Sequence, residues 1–250
     1  MRLAIGLTSL IISQSALAIV NIENLRMDET QAGWGTSTTL GANGKRGNTE
    51  EDNFSISGGI QHISDNLKRR DLLLYDAGQS QSKGETYSES YFAHYRHTEQ
   101  LTHKWAWETF LQHESEPLSN DSLRNLVGMN ARYRLNAFPF NGFGGVGLMY
   151  EERSIELLGE KIEDTGTRFN FYLDSKYRLS DNTDWKISLY AQPKTDDFSN
   201  LRTVTSTGLT TRINSVFAFT LDAAYTHDSE PLTDQENYDF SYTTGINIRF

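Results

Sequence analysis

Apolar and polar residues alternate along most of the chain. Residues 168–179 place Phe169, Phe171 and Leu173 on one face, and residues 185–194 continue the alternation with Trp185, Ile187 and Leu189. Residues 238–250 repeat it to the end of the sequence. Because successive side chains of a strand point to opposite faces, each segment predicts a β-strand with one apolar and one polar face.

The same alternation predicts an all-β chain with about twelve strands. These are expected near residues 33–43, 49–63, 71–80, 86–97, 105–114, 123–135, 143–151, 167–179, 185–194, 201–213, 216–227 and 237–250. The later short connections fall at 180–184 and 214–215, and longer ones at 152–166 and 228–236. Short and long connections on opposite sides are typical of an up-and-down antiparallel arrangement with both termini at the short-turn side.

Two architectures accept strands with one apolar face. A soluble sandwich or lipocalin-like barrel turns that face inward, whereas a transmembrane barrel turns it toward lipid. The strands, about 10–13 residues long, have the length that crosses a bilayer at a tilt. The polar faces are also dense in charged residues, which a polar lumen accepts. The sequence therefore predicts a transmembrane antiparallel β-barrel of about 12 strands over residues 33–250.

The last strand ends on an aromatic residue, with four aromatic or aliphatic side chains expected on one face: Tyr242, Ile246, Ile248 and Phe250. This pattern resembles the signal read by the outer-membrane barrel assembly machinery. We expect deletion of Phe250 to lower the amount of heat-modifiable barrel in the membrane fraction. Wild-type amounts after the deletion would contradict the terminal-signal interpretation.

The first residues have the features of a secretory signal. Arg2 precedes an apolar stretch from Leu3 to Ile12, and Ala16-Leu17-Ala18 forms a cleavage site. We therefore expect residues 1–18 to be removed, residues 19–32 to form a periplasmic N-terminal segment, and the mature chain to lie in the outer membrane of a Gram-negative bacterium.

Composition fits this expectation. Hydrophobic residues make up only 37% of the 250 residues, yet aromatic residues reach 12%, too many for a disordered acidic chain. The aromatic residues are expected in two girdles, one with Trp34, Trp105, Trp107 and Trp185 and one with Phe169, Tyr225 and Tyr238. The absence of cysteine excludes thiolate chemistry, and a net charge of −10 argues against nucleic acid as a partner.

Short motifs also carry a family resemblance. They are Gly33-Trp34-Gly35, Leu40-Gly41-Ala42 and Gly47-Asn48-Thr49-Glu50, followed by Asp71, Tyr91, Tyr95, Trp105 and the stretch from Leu123-Arg124-Asn125 to Tyr133-Arg134-Leu135. Together they resemble the salt-induced outer membrane protein family, whose members share a domain of unknown function. The resemblance implies an outer-membrane β-barrel and no defined activity.

The polar faces are the first candidate site. Expected lumen-lining residues are Glu108, Arg124, Arg132, Arg134, Arg168, Asp174, Lys176, Arg178, Lys186, Lys194, Arg202, Arg212, Asp222, Asp239 and Arg249. Cations outnumber anions in this set, which would favour anions in a narrow channel. The alternative is a closed structural barrel, in which the same side chains pair across strands and fill the interior.

The predicted outward loops are acidic. Residues 151–164 contain Glu151, Glu152, Glu156, Glu160, Glu163 and Asp164, and residues 228–236 contain Asp228, Glu230, Asp234 and Glu236. Their spacing matches no calcium loop, so we expect no metal site and no cofactor. Expected partners are outer-membrane lipid, lipopolysaccharide and the assembly machinery, and the barrel is expected to be a monomer.

Two H-x-S triplets carry an alternative function. His113-Glu114-Ser115 and His227-Asp228-Ser229 are placed at outward strand ends. Outer-membrane lipid hydrolases use a His and a Ser at this spacing, because both side chains then lie on one face of a strand. No third, orienting residue is evident in the sequence, and the expectation is that the protein is not an enzyme.

Overall fold

The structure, a computed structural model, describes residues 32–47, 50–118, 123–137, 140–157, 159–214, 217–232 and 236–248. Outside this part of the chain lie the predicted signal peptide, nearly all of residues 19–32, and the last two residues, Arg249 and Phe250. The predicted all-β fold with about twelve strands is confirmed. The strands are β1 (Gly33–Lys45), β2 (Glu51–Ile63), β3 (Arg69–Ser82), β4 (Glu85–Gln100), β5 (Trp105–Ser115), β6 (Leu123–Ala137), β7 (Phe140–Leu157), β8 (Glu160–Arg178), β9 (Thr183–Pro193), β10 (Leu201–Arg212), β11 (Phe217–Asp228) and β12 (Tyr238–Ile248).

All twelve strands form one sheet in chain order, and each consecutive pair is antiparallel. We call the end of the sheet that holds Gly33 the lower end and the opposite end, with the β7–β8 turn, the upper end. Within the described ranges, β1 and β12 are the two edges of the sheet and do not pair with each other. The described residues also contain no helix long and apolar enough to cross a bilayer.

The sheet is strongly curled. Arg153 on β7 donates from Nη1 to Asp228 on β11 at 2.9 Å, and Tyr172 on β8 donates to Glu108 on β5 at 2.7 Å. Strands lie about 4.8 Å apart in a sheet, so a flat sheet would separate β7 and β11 by about 19 Å. The side chains meet because the sheet bends around them. We call the concave side the inner face and the convex side the outer face.

Polarity is inverted relative to a soluble protein. On the inner face, Arg168 and Glu108 are completely buried. On the outer face, large apolar side chains such as Met129 and Leu148 are exposed, at 56% and 45%. A soluble sandwich would show the reverse arrangement. The observed pattern is that of the transmembrane alternative, with a polar interior and an apolar coat.

The β7–β8 hairpin corrects one prediction. Residues 152–166 were expected to form an outward loop, but β7 continues to Leu157 and β8 begins at Glu160. The turn is tight because Gly159 adopts a positive φ of 84°. The sequence concealed these strand ends because Glu151 and Arg153 are charged residues that face inward, so the apolar alternation disappears there.

Aromatic side chains mark two levels of the outer face. Near the lower end, Trp105 contacts Tyr133 with ring centroids 4.8 Å apart, and Trp185 stacks on Tyr177 at 5.2 Å. Trp34 and Trp107 lie near the same end, against His62 and His97. Near the upper end, Phe169 contacts Phe198 at 5.6 Å and Tyr225 stacks on Tyr238 at 6.0 Å.

The distance between the two levels suits a bilayer. Phe169 and Tyr177 stand eight residues apart on β8, which is about 27 Å along the strand. A tilt of about 40° reduces this to about 20 Å of height, close to the ~25 Å apolar band of outer-membrane barrels. Tyr242 and Ile246, predicted to belong to the assembly signal, are exposed on β12, and Ile248 is the last residue of that strand.

Candidate functional site

The most buried carboxylate of the upper interior is Glu151 on β7, which three arginines surround. Arg124 on β6 donates from Nε to Oε1 at 2.8 Å, and Arg168 on β8 donates from Nε to Oε2 at 2.6 Å. Arg202 on β10 donates to Oε1 from Nη1. One carboxylate therefore links four strands, and it is only 2% exposed. We call these four residues the Glu151 cluster.

The ion pairs continue toward β11. Asp228 accepts from Arg202 Nε at 3.0 Å and from Arg153 Nη1 at 2.9 Å. Arg153 also lies 3.6 Å from Asp164, which pairs with Lys194 Nζ at 2.6 Å. Positive and negative side chains alternate here, so each buried charge has an opposite charge next to it, as burial requires.

The cluster also extends in the opposite direction, toward β4. Arg124 Nη1 lies 3.5 Å from Glu114, whose carboxylate accepts from the amide of Gln112. His94 Nδ1 is 2.8 Å from Gln112 Oε1. One continuous polar network therefore crosses the upper interior from β4 to β11, beside the buried apolar cluster of Phe110, Leu126 and Met149.

A second cluster lies lower, around Glu108 on β5. Arg132 donates from Nη1 at 3.0 Å, the Tyr172 hydroxyl donates at 2.7 Å, and Arg96 lies 3.8 Å away. The Arg132 guanidinium also stacks on the Phe143 ring, 3.5 Å from its centroid. We call this group the Glu108 cluster.

Neutral amides lie between the two clusters. Asn170 Nδ2 donates to Asn130 Oδ1 at 3.0 Å, and Gln192 Nε2 donates to Asn170 Oδ1 at 3.0 Å. Arg168 joins this amide row to the Glu151 cluster by donating to the Gln192 carbonyl at 2.9 Å. The polar side chains of the interior are thus layered, with charge above, amides in the middle and charge below.

The predicted lumen residues occupy three environments. Buried residues are Glu108, Arg124, Arg132, Arg168, Asp174 and Arg202. Partly buried ones are Arg134, Lys194 and Arg212. Exposed ones are Lys176, Arg178, Lys186, Asp222 and Asp239. The structure brings Lys176 and Arg212 to Asp184, at 3.5 and 3.4 Å, with Arg178 at 4.0 Å. Asp184, near the lower end, had not been singled out by the sequence.

Charges are nearly balanced among the buried residues of the interior, and a small excess of cations remains. The described buried set has six arginines and five carboxylates: Arg96, Arg124, Arg132, Arg153, Arg168 and Arg202, and Glu108, Glu114, Glu151, Asp174 and Asp184. Sequence reasoning had not assigned Arg96, Glu114 or Arg153 to the interior. It had placed Glu151 and Asp228 in solvent. For two of them a signal was available, because Glu114 and Asp228 each lie six residues, an even number, from a position already placed inward on the same strand, Glu108 and Asp222.

The acidic residues form no metal site within the described residues. Glu156 and Glu160 are exposed at the tip of the β7–β8 hairpin. In the β9–β10 connection, the Ser199 hydroxyl donates to Asp197 at 2.5 Å and holds the pKa of that carboxyl below its ordinary value.

The two H-x-S triplets have different surroundings. His113 Nδ1 lies 2.8 Å from Asn125 Oδ1, which stands directly opposite on β6. In the second triplet, the Ser229 hydroxyl donates to the Ser199 carbonyl and accepts from the Leu201 amide, both at 2.8 Å. Among the described residues, the serine of the second triplet is thus held by hydrogen bonds to two backbone groups, and no such bond to the Ser115 side chain is seen. The first triplet also differs in that its histidine contacts a side-chain amide.

Comparison with known proteins gives a family and a general likeness in fold. No curated protein matches. A NanC porin structure has 12% identity and a TM-score of 0.44, covering 87% of this chain and 98% of its own. The translocator domain of autotransporter NalP from Neisseria meningitidis has 12% identity and a TM-score of 0.44, covering 92% of each chain. Residues 38–250 match the family described as "Protein of unknown function, DUF481", and the chain therefore belongs to that family.

Proposed function

We propose that this chain is an outer-membrane β-barrel envelope protein of the salt-induced type, which acts as a monomer without a cofactor. The inverted polarity of its sheet supports this proposal, because only a lipid surround makes an apolar coat over a charged interior favourable. Backbone groups in lipid must all be hydrogen bonded, so β1 and β12 pair in the membrane and close the barrel.

The lumen is narrow and closed in its upper half. The observation that carries this proposal is the Glu151 cluster, in which one buried carboxylate joins β6, β7, β8 and β10. Twelve strands lie between the eight whose side chains fill a barrel and the sixteen that leave an open channel. The lower half is more open, since Lys186 and Asp222 are exposed on the inner face. This lower opening favours the second candidate function, a narrow channel for small polar or anionic solutes.

Conductance in planar bilayers tests the closed lumen. We expect the wild-type protein to show small, infrequent openings. The double variant Arg202→Ala/Asp228→Ala removes one charge of each sign from the network, so its openings should be larger and more frequent. The control Lys161→Ala/Glu163→Ala removes an exposed pair from the hairpin tip, where the side chains are 58% and 49% exposed, and should leave conductance unchanged.

Large, steady wild-type openings that neither variant alters would contradict the closed lumen. Steady anion-selective openings of the wild-type protein would favour the narrow channel instead.

A further inference from the structure

The apolar coat ends at a defined row on β5, β6 and β7. Leu111, Val127 and Tyr150 are in register with one another and form the last row of that coat. The next outward row above it consists of His113, Asn125 and Glu152. In a barrel embedded in lipid, this change from apolar to polar lies at the level where ester groups join acyl chains to headgroups.

A groove crosses this boundary on the outer face. It has a volume of about 420 Å³, with His113, Asn125 and Glu152 at its polar side and Leu73 and Ala93 among its apolar walls. A second groove of about 510 Å³ continues below it, past Gly128. The two share Tyr95, Leu111, Val127 and Tyr150. Together they form an apolar channel beneath a polar rim, the shape that suits an acyl chain with its ester at the rim.

The polar rim holds a base and an orienting group, and a serine that could act as nucleophile follows on the same strand. The His113–Asn125 contact places the ring Nδ1 against the amide oxygen, so Nδ1 carries the proton and Nε2 is free to accept one. Ser115 follows two residues later on the same outward face of β5, about 7 Å along the strand. Tyr91 stands opposite Ser115 on β4, is 46% exposed and offers a hydroxyl.

We propose that Ser115, His113 and Asn125 form a catalytic site that hydrolyses an acyl ester of a membrane lipid whose chain lies in the groove. This inference rests on the membrane placement proposed above. The grouping fits the general pattern in which a third residue orients the base that activates a nucleophile. It also supplies the orienting residue that the sequence alone did not reveal.

The reaction would proceed in two balanced steps. The Ser115 hydroxyl attacks the ester carbonyl carbon and its proton passes to His113 Nε2. The bond to the lipid alcohol breaks, and His113 returns the proton to the departing alkoxide, which leaves an acyl-serine. Water then attacks the acyl-serine with His113 as base, releasing a fatty acid and restoring Ser115. The Tyr91 hydroxyl donates to the oxyanion in each step.

Fatty-acid release by the folded protein in mixed micelles tests the site, with a diacyl phospholipid as substrate and its diether analogue as blank. A long-chain alkylsulfonyl fluoride should also form an adduct on Ser115, detected by peptide mass spectrometry. We expect Ser115→Ala to abolish both signals. Ser229→Ala is the matched control, because Ser229 occupies the same position in the other H-x-S triplet, and it should retain both.

The other two residues have separate readouts. His113→Ala should lower the rate at least about 100-fold. Asn125 is a positioning residue, so Asn125→Ala should lower kcat and move the pH at which activity rises, and Asn125→Asp should restore part of the rate. A merely structural role for Asn125 would leave the pH profile unmoved.

Heat-modifiable migration on gels checks the folding of each protein. A folded wild-type barrel that releases no fatty acid and takes no label overturns the catalytic site and leaves the barrel proposal intact. An adduct or activity that persists in Ser115→Ala also overturns it. A wild-type chain that never inserts into membranes overturns the barrel proposal itself.

Discussion

Glu151→Ala is expected to destabilise the protein by about 3–5 kcal/mol, the usual effect of removing one partner from a buried ion pair. The physical reason is specific to this carboxylate. Arg124, Arg168 and Arg202 all donate to it, so its loss leaves three buried guanidinium groups without their shared anion. Burying a charge is favourable only when an opposite charge or hydrogen bonds compensate for lost hydration.

Urea unfolding in lipid vesicles, followed by tryptophan fluorescence, measures this change in the free energy of unfolding. The control is Glu156→Ala, which removes an exposed carboxylate from the same strand and should change stability by less than about 0.5 kcal/mol. Equal stabilities for the two variants would mean that Glu151 does not hold the upper interior together.

Met129→Arg tests which medium surrounds the outer face. Met129 lies in the middle of the apolar coat and is 56% exposed. In water, this substitution would leave the free energy of unfolding almost unchanged, since exposed substitutions rarely change stability by more than about 0.5 kcal/mol. In lipid it should cost about 2–4 kcal/mol, because the charged group leaves water near the bilayer midplane.

The same unfolding measurement applies, with Asn136→Arg as the control. Asn136 lies on β6 as well, but at its exposed lower end, where an arginine can reach water. A Met129→Arg protein as stable as this control would place the outer face in water and contradict the membrane proposal.

The strands were predictable wherever each face had a uniform chemical character. The lower part of β8, residues 168–178, and β9 alternate apolar and polar residues, so their positions follow from the sequence. The upper end of β7 was not predictable in this way, because Arg153 and Ile155 share its inner face while Glu152 and Glu156 occupy the other. A charge pattern alone does not distinguish a strand with a charged interior from an acidic loop.

Candidate site residues were predictable only one at a time. The sequence identified Arg124, Arg168 and Arg202 as inward, but their common partner depends on the register of four strands. Asn125 is similar, since its contact with His113 comes from the pairing of β5 with β6 and not from spacing along one strand. To predict a contact between two strands one must know their register, and the alternation of residues within one strand does not give it.

The long β7–β8 hairpin has a consequence for detecting the protein on intact cells. The β7–β8 hairpin extends past the residues of β7 and β8 that pair with β6 and β9, and Gly159 lies at its tip. On a topology with both termini in the periplasm, an epitope inserted at Gly159 would stand outside the cell and be reached by antibody. An epitope placed before Gly33 would be hidden until the membrane is opened. On the proposed topology, the hairpin would therefore be a display position for labelling, sorting or immobilising whole bacteria.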